Sequence, residues 1–276
     1  MSMELFGYIG AVVMGLSLGL IGGGGSILTV PILVYLFHID AVMATAYSLF
    51  IVGLTSLIGS GSHMRLGNIH WRTAIVFGIP SIISVYATRA WLVPALPDPL
   101  FSVGGVAIGK SIGILIFFAV IMVVAAFSMI RRPRMVKEKV EDDVMSSSSR
   151  VRFNYPLILA EGVIVGAITG IVGAGGGFLI IPALVLLAKL PMKTAVGTSL
   201  IIIAAKSLLG FLGDLRGDEV INWGFLGIFS IIAIAGILIG TMLSKRISNA
   251  HLRPAFGWFV LVMGIYIITR EISAIS

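Results

Sequence analysis

Long apolar runs with very few charges constrain this sequence more than any other feature. About 20 consecutive apolar residues cross the hydrocarbon core of a bilayer as one helix. Only 11% of the 276 residues are charged, whereas soluble domains carry about 25%. The runs are residues 4–21, 26–37, 41–62, 71–93, 108–130, 157–173, 177–188, 193–213, 221–243 and 254–269. The pattern predicts an all-α integral membrane protein with several spans.

The net charge of +7 arises mainly from loops between these runs. Seven of the 19 Lys and Arg residues lie between Arg131 and Arg152. Basic loops set the orientation of membrane proteins and lie beside anionic lipid headgroups. We therefore expect the lipid bilayer, and no nucleic acid, to be the partner of these charges.

The second half of the chain repeats the first. Gly19 to Pro31 aligns with Gly170 to Pro182, and Ala44 to Leu49 aligns with Ala195 to Leu200, both at an offset of 151 residues. Matched Gly, Pro and Ser positions in register indicate an internal duplication rather than chance apolar similarity. The predicted domains are a first transmembrane repeat (1–130), a charged, Ser-rich linker (131–155) and a second transmembrane repeat (156–276).

Two apolar runs, 26–37 and 177–188, are too short to cross a membrane. Their 12 residues form roughly 18 Å of helix, whereas the hydrocarbon core is about 30 Å thick. They follow two glycine-rich segments, the first glycine turn (Gly22 to Gly25) and the second glycine turn (Gly173 to Gly177). We expect each turn to be the tip of a re-entrant helical hairpin. Each half then has one hairpin and three full spans, so the second half is inserted upside down, as an inverted-topology repeat.

Loop charges predict the orientation of this arrangement. With the linker in the cytoplasm, 14 of the 19 Lys and Arg residues lie on that side and three on the other. Both termini are then expected outside the cytoplasmic (inner) membrane. The N-terminus lacks the basic region and cleavage site of a signal peptide, so we expect the first run to be retained.

The two glycine turns are the candidate binding site. Non-helical backbone at membrane depth persists only where protein buries it or where it lines a wet cavity, and glycine lets a ligand approach the main chain closely. A short helix begins after each turn, and Pro31 and Pro182 fit an early turn of these helices. The free N–H groups at such helix starts favour an anion, although small residues also permit close helix packing. The candidates are Gly22, Gly23, Gly24, Gly25, Ser26, Gly173, Gly175, Gly176 and Gly177.

Lys206 is the charged residue that best fits an anion site. It lies about 13 residues into its run, and a charge near the bilayer centre costs at least ~2.5 kcal/mol. It could neutralise an anionic substrate, pair with Asp214, or extend its ammonium group to the membrane surface. Ser199 lies seven residues earlier on the same helix face, as Ser48 does relative to Thr55. Tyr47, Ser48, Thr198 and Ser199 are therefore further substrate-binding candidates, with hydrogen bonds between helices as the alternative.

Two other charges lie within apolar runs. Glu161 is either a carboxylate that couples transport to a proton or an interfacial residue. Arg89 either reaches the membrane surface or attracts anions to a vestibule. The coupling ion, a proton or sodium, stays open.

Enzyme and cofactor motifs lack their required context. Gly173-x-Gly175-x-Gly177 precedes no parallel β pattern, and the chain has no P-loop and no Cys. We therefore expect neither a metal nor another cofactor. Ser60 and His63 leave an intramembrane hydrolase as a minor alternative.

The paired Gly-rich-then-Pro segments, each followed by a short helix and an Ala-x-Gly-Thr-Ser-Leu-like span, resemble the TauE/SafE sulfite exporter family. This family is also called the toluene-sulfonate uptake permease family, and the resemblance covers nearly the whole chain. Ala195 to Leu200 is close to the family pattern, whereas Ala46 and Tyr47 replace the usual Gly-Thr in the first copy. The resemblance implies alternating-access transport of a small anion such as sulfite, sulfoacetate or a related organosulfonate. An anion channel and a small-carboxylate or thiosulfate permease are the alternatives. The direction of transport stays open. So does the oligomeric state, for which a homodimer is one option.

Overall fold

The computed structural model describes residues 2–103, 106–130, 155–186, 188, 190–215, 220–244 and 249–275. The predicted linker therefore lies, except for Tyr155, outside the described residues. The first half contains α1 (Ser2–Ile21), a 3₁₀ helix (Gly23–Leu28), α2 (Thr29–Phe37), α3 (Ala41–Arg65), α4 (Trp71–Ala87) and α5 (Lys110–Ile130). Helix α4 continues through a π-helical turn (Thr88–Leu92) into Val93–Ala95. The second half contains α6 (Tyr155–Val172), α7 (Gly177–Leu186), α8 (Met192–Asp214), α9 (Trp223–Ser244) and α10 (Asn249–Ile275).

Seven of the described helices are long and apolar enough to cross a membrane. They are α1, α3, α4 with its continuation, α5, α8, α9 and α10. The segment Gly23–Phe37 and the helix Pro156–Val172 are shorter. The all-α membrane class is thereby confirmed. Helix α1 is longer than expected for one arm of a re-entrant hairpin, and a short antiparallel β-hairpin, Phe101–Val103 with Val106–Ile108, was not predicted.

The helix contacts of the two halves exchange with one another, as an approximate two-fold axis between the halves would require. Helix α1 packs on α9 and α6 packs on α4, so that exchanging the halves converts one contact into the other. Helix α3 packs on α8 and α5 packs on α10, and each of these pairs joins equivalent helices. This pattern agrees with the internal duplication.

The central helices α3 and α8 run antiparallel. A Cβ on Gly53 would lie 2.8 Å from Leu208, near the middle of both helices, whereas Gly197 at the start of α8 lies against His63 near the end of α3. An inverted repeat requires antiparallel equivalent helices. The insertion of the halves in opposite directions across the membrane stays a prediction.

The first glycine turn forms the tip of a helical hairpin. Helices α1 and α2 are antiparallel, since Gly7 lies against Phe37 while Gly25 lies against Ser17 and Leu18. Large apolar side chains are exposed on the outer helices, as expected for surfaces that face lipid, including Leu5, Ile83, Ile231 and Val262. Helices α3 and α8 are the most buried of the seven spans. The glycine turns lie against these two helices, with Gly175 beside Val52 of α3 and Gly23 beside Ile203 of α8.

Candidate substrate site

The backbone of the glycine turns is buried and departs from α-helical geometry at four glycines. Gly22 has a φ of 79°, and Gly173, Gly175 and Gly176 have φ values of 73°, 63° and 64°. Side chains rarely adopt this left-handed region, so these positions require glycine. The prediction that the turns break the helices is confirmed at these residues.

The two glycine turns touch each other. A Cβ on Gly23 would overlap Cα of Gly177, and a Cβ on Gly177 would overlap Cα of Gly23. The position of a Cβ on Gly23 lies 2.6 Å from Ile203 Cδ1, and that on Gly175 lies 2.6 Å from Val52 Cγ1. Val52 and Ile203 are equivalent residues near the middle of α3 and α8, so the turns meet at mid-depth between these two helices.

The turns are closely packed in this conformation. A cavity beside them has a volume of about 20 Å³ and is bordered by Gly24, Phe178 and Pro182, which is room for about one water. Ser26 is fully buried, and its hydroxyl donates to the Gly23 carbonyl at 2.7 Å. Pro31 lies in the first turn of α2, as predicted, whereas Pro182 lies beyond the first turn of α7.

Lys206 is fully buried and reaches the second glycine turn. Its Nζ donates a hydrogen bond to Thr169 Oγ1 at 2.9 Å and lies 2.8 Å from the position of a Cβ on Gly176. Two of the roles considered for Lys206 are wrong. Its side chain does not extend to the surface, and it does not pair with Asp214, because Asp214 pairs with Arg89. Within the described residues no acidic side chain pairs with Lys206. This leaves a buried ammonium group at the point where the turns meet.

The predicted hydroxyl groups divide into two sets. Thr198 Oγ1 accepts a hydrogen bond from the His70 amide at 2.9 Å, and Tyr47 Oη accepts one from the Asn222 amide at 2.8 Å. Ser199 donates to the Val196 carbonyl at 2.8 Å. Thr198 and Tyr47 therefore connect separate backbone segments, whereas Ser199 bonds within its own helix.

Ser48 belongs to the second set, because its hydroxyl is buried and has no hydrogen-bond partner among the described residues. Thr55, Ser56 and Ser207 share this property. Ser56 and Ser207 were not predicted, although the repeat offset pairs them and could have identified them. Thr169 was also missed, because the equivalent residue in the first half is Leu18 and the repeat therefore showed no matched polar pair there. The unpaired hydroxyls of α3 and α8 are donors that a bound ligand could use.

Arg89 forms an ion pair instead of reaching the membrane surface. It is 1% exposed, and its Nη1 lies 3.3 Å from Asp214 Oδ1. The ion pair joins the continuation of α4 to α8, so the expectation that Arg89 reaches the membrane surface was wrong. Its Nε and Nη2 have no partner among the described residues.

The acidic residues of the outer helices occupy two different settings. Glu161 lies half-buried on α6 and forms no hydrogen bond or ion pair within the described part of the chain. Glu271 was not predicted, because it follows the last apolar run. It is buried, and its Oε1 accepts a hydrogen bond from Tyr35 at 2.9 Å. No cluster of three His, Asp or Glu side chains suitable for a metal ion occurs in the described segments.

Comparison with known proteins defines the class of this chain. It is 28% identical over 275 residues to a probable membrane transporter protein of Xylella fastidiosa, covering 94% of this chain and 92% of that protein. It is also 28% identical over 274 residues to a probable membrane transporter protein of Methanocaldococcus jannaschii, an alignment that covers 93% of this chain and 94% of that protein. A third relative, the probable membrane transporter protein YdhB of Bacillus subtilis, is 27% identical over 230 residues, which cover 83% of this chain and 82% of YdhB. With its apolar helices, the chain is a multi-pass membrane transporter.

The family profile described as sulfite exporter TauE/SafE matches residues 8–267. The chain belongs to this family. No solved structure matches it significantly.

Proposed function

We propose that this protein is a secondary transporter that moves a small sulfur-containing anion across the cytoplasmic membrane by alternating access. The observation that carries the proposal is the buried ammonium group of Lys206 beside Gly176, where the two glycine turns meet. A cation at this depth is costly unless another charge compensates it. A bound anion supplies that charge, and the family description favours a sulfur anion such as sulfite, sulfoacetate or a related organosulfonate.

The surroundings of Lys206 supply neutral hydrogen-bond donors. Helix α7 begins at Gly177. The amides of Leu179 and Ile180 donate to the Gly176 carbonyl, so the amides of Gly177 and Phe178 are the ones at this helix start without a partner within the helix. Such groups, together with the helix dipole, favour an anion. The hydroxyls of Ser48, Thr55 and Ser207 lie in the same two central helices, are buried, and have no partner in the described part of the chain. Charge and donors together fit a small oxyanion.

The approximate two-fold axis supplies two related ways to open the site. The space beside the turns holds about one water, so a substrate with a sulfonate group enters when the hairpins move apart. Movement of the first hairpin against α8 and movement of the second hairpin against α3 are equivalent, and they open the site toward opposite ends of the bundle. We place the linker in the cytoplasm and both termini outside, with Glu161 as the candidate group for coupling to a proton.

Counterflow into proteoliposomes tests this function. Vesicles containing the purified protein are loaded with unlabelled isethionate, and entry of radiolabelled isethionate is measured against competing sulfite, sulfoacetate, thiosulfate, sulfate and acetate. The proposal expects saturable counterflow that sulfur anions inhibit most strongly. Ohmic current without counterflow would indicate an anion channel, and stronger inhibition by acetate would indicate a carboxylate permease. Protein-free vesicles serve as the control.

A further inference from the structure

We infer that the substrate is a monovalent anion whose charged group lies at the second glycine turn and whose other end, toward the first half of the site, is uncharged. This inference rests on the proposed function and narrows it. It comes from one charge difference between two otherwise similar halves of the site.

The central faces of α3 and α8 are matched almost residue by residue. The repeat offset of 151 pairs Ser48 with Ser199, Val52 with Ile203, and Ser56 with Ser207. All six side chains are buried. The same offset pairs Thr55 with Lys206, so one position presents a hydroxyl in the first half and an ammonium group in the second.

The residue beside this position is also more polar in the second half than in the first. Lys206 Nζ is held by Thr169 Oγ1 at 2.9 Å beside Gly176. The equivalent of Thr169 is Leu18, whose main-chain nitrogen lies beside Gly25. Its side chain is fully buried and packs in an apolar cluster with Ile181, Val196, Leu200 and Ile237. The second half is therefore built to hold a charged group, whereas the first half places an apolar side chain in the corresponding position.

The remaining charges on the surrounding helices lie away from the turns. Asp214 is eight residues along α8 from Lys206, and Glu161 is eight residues along α6 from Thr169, each about 12 Å away along its helix. Arg89 pairs with Asp214. Toward the ends of the helices that border the turns lie Glu4, His63, Arg65, Arg72 and Lys193. Among the described residues, Lys206 is therefore the one charge at the meeting point.

A protonated Lys206 carries one positive charge, which balances one negative charge on the ligand. A monovalent anion leaves the occupied site neutral, whereas a dianion leaves a net negative charge buried at membrane depth, which is costly. In the first half the positions equivalent to Thr169 and Lys206 are Leu18 and Thr55, neither of which is charged, so this half suits an alkyl or hydroxyalkyl end. Hydrogen sulfite and monosulfonates such as isethionate fit this site better than the dianions sulfate and sulfoacetate.

Titration calorimetry with two matched ligands tests the inference on the purified full chain in detergent. Ethanesulfonate and ethane-1,2-disulfonate share a two-carbon core and a sulfonate group but differ by one charge. We expect ethanesulfonate to bind at least tenfold more tightly. Equal or tighter binding of the disulfonate would overturn the inference while leaving the proposed function intact. If neither these sulfonates nor sulfite and thiosulfate bind, the proposed function fails and the inference fails with it.

The internal repeat offers a second test in which the charge is moved. Lys206→Thr gives both halves the same residue and should weaken ethanesulfonate binding at least tenfold. Adding Thr55→Lys to this variant places the charge at the equivalent position and should recover most of the affinity. Thr55→Lys alone gives two charges and should reverse the preference toward the disulfonate.

Lys193→Thr is the matched control, because this lysine is exposed at the start of α8. The Lys193→Thr variant should bind ethanesulfonate as tightly as the wild type does. Thermal unfolding and gel filtration check that each variant is folded. If the Thr55→Lys variants do not fold, the wild-type comparison and Lys206→Thr still decide the matter. Unchanged ethanesulfonate affinity in folded Lys206→Thr would contradict the inference.

Discussion

The main-chain amide of His70 donates a hydrogen bond to Oγ1 of Thr198 at 2.9 Å. The equivalent contact in the other half joins the Asn222 amide to Tyr47 Oη at 2.8 Å. His70 caps α4, and Asn222 accepts from Phe225 N at the start of α9. The first repeat therefore departs from the family motif in residue type, with Tyr47 in place of Thr, but keeps the same connection between a helix start and a central helix.

This relationship predicts that Thr198 stabilises the fold. Thr198→Val keeps the shape of the side chain but removes the acceptor for the His70 amide. Leaving a half-buried donor unpaired costs about 1–3 kcal/mol, so the melting temperature should fall while ethanesulfonate affinity stays within about twofold of the wild type. Thr198→Ser, which keeps the hydroxyl, is the control. A Thr198→Val protein with normal stability but no anion binding would instead show that Thr198 contacts the substrate.

Contact between the glycine turns predicts that neither Gly23 nor Gly177 tolerates a side chain. Gly23→Ala and Gly177→Ala place a methyl group onto the backbone of the opposite turn. We expect counterflow to fall at least tenfold in both variants. Gly61→Ala is the control, because a Cβ there meets nothing within 4 Å, and its counterflow should match the wild type. Wild-type counterflow in Gly23→Ala would show that the turns do not touch during transport.

The hydrogen bond from Lys206 to Thr169 predicts a difference between the empty and the occupied protein. Thr169→Val removes the hydroxyl partner of the buried ammonium group, and hydrogen bonds to charged groups contribute about 1.5–3 kcal/mol. The melting temperature of the empty protein should therefore fall, while the increase on adding ethanesulfonate should be at least as large as in the wild type, since the anion replaces the lost partner. An unchanged melting temperature together with loss of the ligand-induced increase would mean that Thr169, rather than Lys206, holds the anion.

The ion pair between Arg89 and Asp214 predicts strong energetic coupling between α4 and α8. Removing one partner of a buried pair leaves an uncompensated charge and costs about 3–5 kcal/mol. Arg89→Met and Asp214→Asn should each lower the free energy of unfolding. The double variant should lower it by clearly less than the sum of the two single decreases. Chemical unfolding of all four proteins measures this coupling. Additive losses would show that the pair contributes no coupling energy.

The sequence was most informative where burial in lipid dictates the pattern. The run 41–62 became α3 (Ala41–Arg65), and the run 193–213 became α8 (Met192–Asp214), because every backbone group in a span must be paired within its own helix. The assignment of both glycine turns to one candidate site also required them to lie together, and they touch at Gly23 and Gly177.

Long-range side-chain partners could not be predicted in this way. Arg89 and Asp214 are 125 residues apart in the chain, and their pairing depends on how α4 packs against α8. The use of Thr198 and Tyr47 by backbone amides likewise depends on the packing of one half against the other. A repeated sequence indicates which positions are equivalent but does not specify the contacts across the axis.

The most direct test of the central claim is the location of a bound anion. Crystals of the wild-type protein grown with 2-bromoethanesulfonate give an anomalous signal from bromine that fixes both the position and the direction of the ligand. The account predicts a sulfonate group in contact with Lys206 Nζ and Gly176, with the bromine directed toward Thr55. A ligand bound beside Arg89 or elsewhere in the bundle, with none between the glycine turns, would contradict it.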